Sequence, residues 1–220
     1  MRSRSKPRPG RPRLEEGSPQ VRQRLLDAAI ALAHERGFEA IGVRQIAQAA
    51  GVTPGMIAYY FGGKRGLYEA MIDATYQTLV ARMRALLERP DADGDPIARL
   101  VDLQISTLAQ TPWLPPLLAR EVLARESPLR EFMSERLAKG PGVLVPHMLR
   151  REMDAGRIRD DLDPLLLMLS IFGLGMIPYL MYPVAGPALG YQLDESFRDR
   201  MIAHVRALLA RGLAPTEEAR

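Results

Sequence analysis

Apolar residues recur along this chain at the three- and four-residue spacing of helices, and no convincing alternation of apolar and polar residues predicts a strand. The pattern therefore predicts an all-α fold. The first predicted helix begins at Ser18, a capping residue type followed by Pro19, and ends at Gly37. Its apolar face consists of Val21, Leu25, Ala28, Ala29, Leu32 and Ala33.

Two short helices are predicted next. One spans residues 43–50 and closes at Gly51, and the other follows Thr53, its cap, and ends at Gly62 after about two turns. In the second of these, Ile57 and Phe61 are four residues apart and are expected to face a core. The opposite side is then expected to carry Pro54, Gly55, Met56, Ala58, Tyr59 and Tyr60.

Longer helices fill the rest of the chain. A helical pattern runs from Lys64 to about Glu88 and is followed by RPDADGDP, residues 89–96, a turn-rich connection and the best boundary in the chain. Further helices are expected at about 97–110, 115–126, 128–155 with an interruption near 140–142, 164–181 and 195–211. Ser127 and Asp163 are the expected caps of two of them.

An uncharged stretch from Leu165 to Tyr182 is just long enough to span a membrane. Acidic residues precede it, no basic residue flanks it closely, and Pro178 and Pro183 interrupt it, so the usual anchoring pattern is missing. A helix buried by a partner is the favoured interpretation, and no membrane is expected among the partners of the chain.

Composition excludes several kinds of chemistry. The chain has 220 residues, 47% of them hydrophobic, which suits one or two folded domains, and it has no cysteine for disulfides, thiolate metal sites or thiol nucleophiles. No signal-peptide pattern follows the basic start, so a cytoplasmic protein is expected. His34, His147 and His204 are far apart in sequence. We therefore expect no enzyme, no cofactor and no metal, although a Ser/His/Asp site assembled by the fold is the competing hypothesis.

Charge is concentrated at the N-terminus. Residues 1–13 carry six Lys or Arg and no acidic side chain, whereas the whole chain has a net charge of +4, so everything after this arm is net negative. Such an end attracts polyanions. The sequence PRPGRPR is expected either to follow the minor groove of DNA or to act as a solubilising tail.

A helix, an Ala-Gly-Val turn and a short helix have the spacing of a helix-turn-helix, in which the second helix enters the major groove of DNA. Tyrosine hydroxyls bind phosphate, tyrosine rings pack on sugars, and free amides at a helix start attract an anion. The alternatives are that Arg44 is only solvated and that the two tyrosines only pack against the following helix. The residues expected to contact DNA are Arg44, Thr53, Pro54, Gly55, Met56, Ala58, Tyr59, Tyr60 and Lys64.

Residues 22–72 resemble the DNA-binding domain of TetR-type transcriptional regulators, above all in RQIAQAAGVTPGMIAYYFGGKRGLYEAMI. Three positions depart from the usual pattern of that family. Gly42 replaces a Ser or Thr cap, and Met56 and Ala58 replace polar residues and are expected to touch a thymine methyl instead. The matching positions are Gly37, Phe38, Ile46, Ala47, Ala50, Gly51, Val52, Thr53, Gly55, Ile57, Tyr60, Phe61, Lys64 and Leu67.

The resemblance implies a basic arm (1–17), a helix-turn-helix domain (18–63), a helical domain that binds an effector and forms a homodimer (64–214), and a tail (215–220). It implies a repressor that binds a palindromic operator and is released by a small apolar or aromatic effector. A helical interaction protein or a membrane-associated regulator without sequence-specific DNA binding is the alternative.

Two further sets of residues follow from this resemblance and from composition. Methionines and aromatic residues form adaptable apolar cavities, although plain core is the other interpretation of each. The expected pocket residues are Trp113, Phe132, Met133, His147, Met148, Met168, Phe172, Met176 and Tyr179. The last two predicted helices have the apolar surface that a four-helix dimer bundle needs. The expected interface residues are Ile171, Leu174, Ile177, Phe197, Met201, Val205 and Leu208.

Overall fold

The computed structural model describes residues 19–37, 40–87, 95–122, 127 and 129–214, and within these ranges the chain is helical without strands. This confirms the all-α fold. The helices are α1 Pro19–Arg36, α2 Val43–Ala50, α3 Gly55–Phe61, α4 Lys64–Leu87, α5 Pro96–Gln110, α6 Leu114–Leu117, a π-helical turn Leu118–Val122, α7 Leu129–Lys139, α8 Pro141–Asp154, α9 Pro164–Leu189 and α10 Glu195–Gly212. The predicted arm, the Ser18 cap, Phe38, residues 89–94 of the predicted connection and the tail 215–220 lie outside the described residues.

The first hydrophobic core joins α1, α2, α3 and the start of α4, and it also takes in Trp113, Leu117 of α6 and Leu129 of α7. From α1 it takes Val21, Leu25, Ala29 and Ala33, which are four of the six residues predicted for the apolar face of that helix. Ile46, Ile57, Leu67 and Met71 complete its centre, each at most 1% exposed. Burial of large aliphatic side chains contributes about 1.5–3 kcal/mol each, so this small core holds the three short helices in a fixed arrangement.

The second core joins α5, α8, α9 and α10. Aspartates cap three of the helices that supply it: Asp95 Oδ1 accepts from Ile97 N at 2.8 Å, Asp163 Oδ1 from Leu165 N at 2.7 Å, and Asp194 Oδ1 from Phe197 N at 2.8 Å. Each cap satisfies a backbone amide that the helix itself leaves unpaired. The predicted Asp163 cap is confirmed.

Helix α4 belongs to both cores. Leu67 and Met71, near its start, are buried in the first core, and Met83, near its end, is buried in the second. It begins directly after Gly62 and Gly63, whose φ angles of +70° and +118° reverse the chain at the end of α3. One continuous helix therefore connects the three short helices α1 to α3, called the reading head below, with the helices of the second core.

Three predictions of helix boundaries need correction. Thr53 is not the cap of α3: Pro54 occupies the cap position and no side chain caps this end. In the described part of the predicted helix 115–126, the chain forms the short α6 and then the π-helical turn Leu118–Val122, and residues 123–126 lie outside the described residues. Helix α9 continues past residue 181 to Leu189, and it stops only where Gly190 turns left-handed, at φ +71°.

Candidate nucleic-acid interface and effector cavity

The turn between α2 and α3 is set by Gly51, which adopts a left-handed conformation at φ +68°. Its N–H donates to Gln48 O at 3.0 Å, and Val52 N donates to Ala47 O at 2.9 Å. Arg24 of α1 donates from its guanidinium to Ala50 O, which would otherwise lack a helical partner. A Cβ at residue 51 would lie 2.8 Å from Arg24 Nη2. The positive φ angle and the nearby guanidinium therefore both favour glycine at this position.

The N-terminus of α2 has a capping hydrogen bond even though a glycine occupies its cap position. Gly42 has no side chain to cap the helix, but its N–H donates to Gln45 Oε1 at 2.8 Å. Gln45 thus provides the returning half of a capping box. Arg44, in the first turn of this helix, is exposed.

Helix α3 presents part of its surface to solvent. Tyr59 is 70% exposed, and Ala58, Gly55, Pro54 and Thr53 are exposed as well. Such a face is open to a ligand as large as a duplex.

Met56 corrects the prediction of an outward-facing side chain, because it is only 9% exposed and belongs to the first core. Tyr60 is half-buried and packs on the same core, with its ring 5.0 Å from that of Tyr59. Met56 and Tyr60 are four residues apart and therefore share one flank of the helix. The predicted inward side chains Ile57 and Phe61 do pack on the core.

Two cations lie beside these aromatic residues. Lys64 is exposed, with Nζ 5.4 Å from the centroid of the Tyr68 ring. Arg22, which sequence reasoning did not select, places its guanidinium carbon 5.0 Å from the centroid of the Phe61 ring. Its position one turn from the start of α1 gave no signal in the sequence, since the contact forms only when α1 packs beside α3.

A cavity of about 270 Å³ lies between α4, α5, α6, α7 and α9. Four of the predicted pocket residues line it, namely Met133, Met168, Phe172 and Met176. Leu137 and Leu169 also line it and are 47% and 51% exposed, so the cavity opens between α7 and α9. The remaining lining residues are Ile72, Thr75, Tyr76, Leu79, Gln104, Thr107, Leu108, Leu114, Leu118 and Pro141.

Five predicted pocket residues do not line this cavity. Trp113 is buried in the first core, and Met148 and Tyr179 are buried in the second. His147 is exposed on α8. The Arg136 guanidinium lies over the Phe132 ring, with its Cζ atom 3.4 Å from the ring centroid. Methionine and aromatic residues are common throughout an apolar interior. Residue type alone therefore could not distinguish the side chains that line the cavity from those that are packed in the core.

One edge of the cavity is closed by contacts between α4 and α7. Arg136 Nε donates to Asp73 Oδ1 at 2.8 Å, and the Tyr76 hydroxyl donates to Arg136 O. Burial raises the pKa of Tyr76 above its ordinary value, and the nearby Arg136 charge opposes that shift. The hydroxyl therefore stays protonated and able to donate at neutral pH.

The outer surface of α9 is apolar and largely exposed. Among the predicted interface residues, Ile177 and Leu208 are 53% and 49% exposed, and Leu174 and Phe197 are half-buried. The predictions for Ile171, Met201 and Val205 are wrong, because these side chains are buried in the second core of the same chain. The exposed set that sequence reasoning missed consists of Leu165, Leu166, Leu169, Met181, Val184 and Leu189.

Length and composition alone would allow α9 to cross a membrane, and it is the one such helix in the described ranges. Only 28% of its most apolar window is buried within the chain. Across the same described ranges, no three His, Asp or Glu side chains come together as a metal site.

Comparisons with known proteins agree with this geometry. Residues 25–71 match the family of bacterial regulatory proteins called the tetR family. The HTH-type transcriptional regulator BetI of Serratia proteamaculans is 35% identical over 105 residues, which are 42% of this chain and 50% of that protein. The probable HTH-type transcriptional regulator YttP of Bacillus subtilis is 25% identical over 183 residues, 82% of this chain and 87% of that one.

Solved structures share the whole fold. The transcriptional regulator FadR from Bacillus subtilis, crystallised in complex with stearoyl-CoA, superimposes with a TM-score of 0.63 at 22% identity, over 87% of this chain and 99% of that one. At this identity the likeness concerns the fold alone. The stronger sequence match, to BetI, spans about half the length of that relative. The helix-turn-helix signature of residues 25–71 and the fold together support a TetR-type transcriptional regulator.

Proposed function

We propose that this chain is a cytoplasmic, homodimeric repressor that binds a palindromic operator and is released by a small apolar effector. The observation that carries the proposal is the course of α4. Its first turns support α3 through Leu67 and Met71, and its middle lines the cavity through Thr75, Tyr76 and Leu79. A molecule in the cavity would therefore press on the same helix that positions the reading head.

DNA binding is supported by the exposed surface of α2 and α3. Tyr59 offers a ring and a hydroxyl to the sugar-phosphate backbone, Lys64 offers a charge to phosphate, and the exposed Arg44 offers a guanidinium that can pair with guanine. Because Tyr59 is 70% exposed, its ring is stabilised within the monomer by little beyond its contact with the Tyr60 ring. Contact with a duplex would explain its position.

Dimerisation through α9 and α10 is supported by their exposed leucines. Soluble monomers rarely expose a long continuous apolar face. A second copy packed on α9 by a two-fold axis would cover it, and would set two reading heads about one turn of B-DNA, ~34 Å, apart. The alternative, a membrane-associated or protein-interacting regulator that does not bind DNA specifically, is favoured only by this same face.

Selection of bound sequences from a random DNA pool tests the proposal directly. A palindromic consensus is expected, with an affinity that falls steeply with salt because phosphate contacts release counterions. Recovery of no consensus, together with flotation of the protein on lipid vesicles, would favour the membrane-associated alternative.

Single variants then assign the contacts. Arg44→Ala is expected to weaken operator binding by about 1–3 kcal/mol and to relax the preference at one base position. Tyr59→Ala should weaken binding without changing that preference. The matched control is Arg150→Ala, an exposed arginine on α8, which should leave operator affinity unchanged. Equal effects of Arg44→Ala and Arg150→Ala would contradict the assignment of α2 to the groove.

A further inference from the structure

The cavity between α4, α5, α6, α7 and α9 presents an almost entirely apolar surface, although four of its lining residues are polar. Two of these are threonines, and each donates its only proton to the backbone carbonyl one turn before it, Thr75 Oγ1 at 3.3 Å and Thr107 Oγ1 at 2.7 Å. The Tyr76 hydroxyl donates to Arg136 O. These three protons are therefore used within the protein and are not available to a ligand.

Gln104 is the fourth polar residue, and its amide is packed against the backbone of α9. The residue is 5% exposed, and Nε2 donates to Phe172 O at 2.9 Å. A Cβ at Gly175 would lie 2.9 Å from Gln104 Cδ, so the amide occupies space that a larger residue on α9 would fill. Together the four polar residues leave almost no polar surface in the cavity.

Among the described residues that line the cavity none is charged, and the two at its opening, Leu137 and Leu169, are leucines. The wall also contains Met133, Met168 and Met176, whose flexible thioethers adapt to the shape of an apolar ligand. Ligand pockets ordinarily hold a few polar groups that orient the ligand, and this cavity has almost no polar surface for that purpose. A polar group of a ligand would lose its hydration here without gaining a partner, and a charged group would lose more.

The volume of the cavity indicates the size of the ligand. A cavity of about 150 Å³ lined by aliphatic and aromatic side chains stays dry and binds benzene, which has six carbon atoms. In proportion, the cavity of about 270 Å³ in this chain would hold about ten carbon atoms.

We infer that the effector is a neutral hydrocarbon of about ten carbon atoms, bound by apolar contacts alone. This inference rests on the proposed function of the cavity as the effector site. It distinguishes hydrocarbons from alcohols, phenols and carboxylic acids of the same carbon skeleton, because the cavity wall has almost no polar surface to pair with their polar groups.

Equilibrium dialysis of the full chain against naphthalene, naphthol and naphthoate tests the ligand class, because the three probes share one ring system. Naphthalene should bind about five- to a hundredfold more tightly than naphthol, the range expected when a hydroxyl is enclosed without a partner. Naphthoate should bind more weakly still, because its charge would be unpaired. Benzene, which fills only about half of the cavity, should bind at least about tenfold more weakly than naphthalene.

Variants locate the binding site. Met176→Phe adds volume at the cavity wall and should weaken naphthalene binding by about tenfold or more. The matched control is Met181→Phe, at an exposed methionine on the same helix, which should leave naphthalene affinity unchanged. Equal effects of the two variants would place naphthalene outside the cavity and overturn the inference. The comparison of the probes on the wild-type chain decides the ligand class even where Met176→Phe does not fold.

The remaining outcomes separate this inference from the proposed function. Naphthol or naphthoate bound as tightly as naphthalene would overturn the hydrocarbon class, and benzene bound as tightly would overturn the size, while the cavity would remain an effector site. Failure of all four probes to bind would overturn the effector cavity and this inference with it. Naphthalene that binds without lowering operator affinity would not be an effector, which would overturn the proposed release. DNA binding by α2 and α3 is judged by its own experiment in each case.

Discussion

The turn between α2 and α3 allows a quantitative test of the interactions that fix the position of α3. In Gly51→Ala the new side chain must adopt φ near +68°, a left-handed conformation that costs about 1–2 kcal/mol for a non-glycine residue. Gly37→Ala is the matched control, because Gly37 has a similar φ of +75° and an added Cβ there would meet no atom of the described residues within 4 Å.

Positions 51 and 37 differ in that only a side chain at residue 51 would meet Arg24. At residue 51 the Cβ would lie 2.8 Å from Arg24 Nη2, so the guanidinium has to move and give up its bond to Ala50 O. Hydrogen bonds that involve a charged group are worth about 1.5–3 kcal/mol, and partial exposure of Arg24 places this one near 1 kcal/mol. Gly51→Ala should therefore destabilise the chain by about 2–3 kcal/mol and Gly37→Ala by about 1–2 kcal/mol.

Urea unfolding followed by far-ultraviolet circular dichroism, at one fixed protein concentration, measures both values. The decisive comparison repeats Gly51→Ala in an Arg24→Met background, where only the backbone strain is left and the destabilisation should fall to that of Gly37→Ala. If Gly51→Ala has the same effect with and without Arg24, or the same effect as Gly37→Ala, the guanidinium does not hold this turn.

Three further measurements probe other parts of the fold. Gly140→Ala should destabilise the chain by about 1–3 kcal/mol, since the new Cβ would overlap the Tyr76 hydroxyl, and thermal unfolding should show partial relief in the double variant with Tyr76→Phe. Burial raises the pKa of Tyr179 above 10.0, so its contribution to stability is complete below pH 10 and is lost as the pH rises through the folded pKa. Ultraviolet titration should show late-titrating phenols, Tyr76 among them, and Tyr179→Phe should remove one of them. Ile57→Ala, at 1% exposure, should lower the free energy of unfolding by about 2–4 kcal/mol, against less than about 0.5 kcal/mol for the exposed Tyr59→Ala, both measured in urea.

The parts of this fold that sequence reasoning located well depend on local signals. The bounds of α2 follow from Gly51, and the start of α9 follows from Asp163 and Pro164, because caps and stops act within one helical turn. Periodicity also gave the buried face of α1. These effects need no knowledge of which helix packs against which.

The buried side of a helix was harder to predict where the helix is short or apolar on every side. The seven residues of α3 contain adjacent apolar side chains, Met56 and Ile57, and two turns do not define which of them is outside. In α9 nearly every position is apolar, so the sequence marked Ile171 for a partner that the chain's own core buries. Only packing by α5, α8 and α10 decides between the two sides.

The cavity was the least predictable feature because its wall comes from helical segments spread along the chain from Ile72 to Met176. Its polar residues, Gln104 above all, are ordinary positions on helices with no motif around them. Gln104 becomes distinctive only when Gly175 and Phe172 O of α9 are placed opposite it.

The length of α4 explains how such a cavity could act on DNA. With a rise of about 1.5 Å per residue, Tyr76 at the cavity lies about 18 Å along the helix from Lys64, where α4 begins beside α3. A rigid tilt of about 5° at the cavity would displace that end by roughly 1.5 Å, about half the length of a hydrogen bond. Contacts to base edges tolerate little misplacement, and the two heads of a dimer would be displaced in opposite directions by the two-fold axis. A small ligand could therefore weaken operator binding through a small tilt of α4.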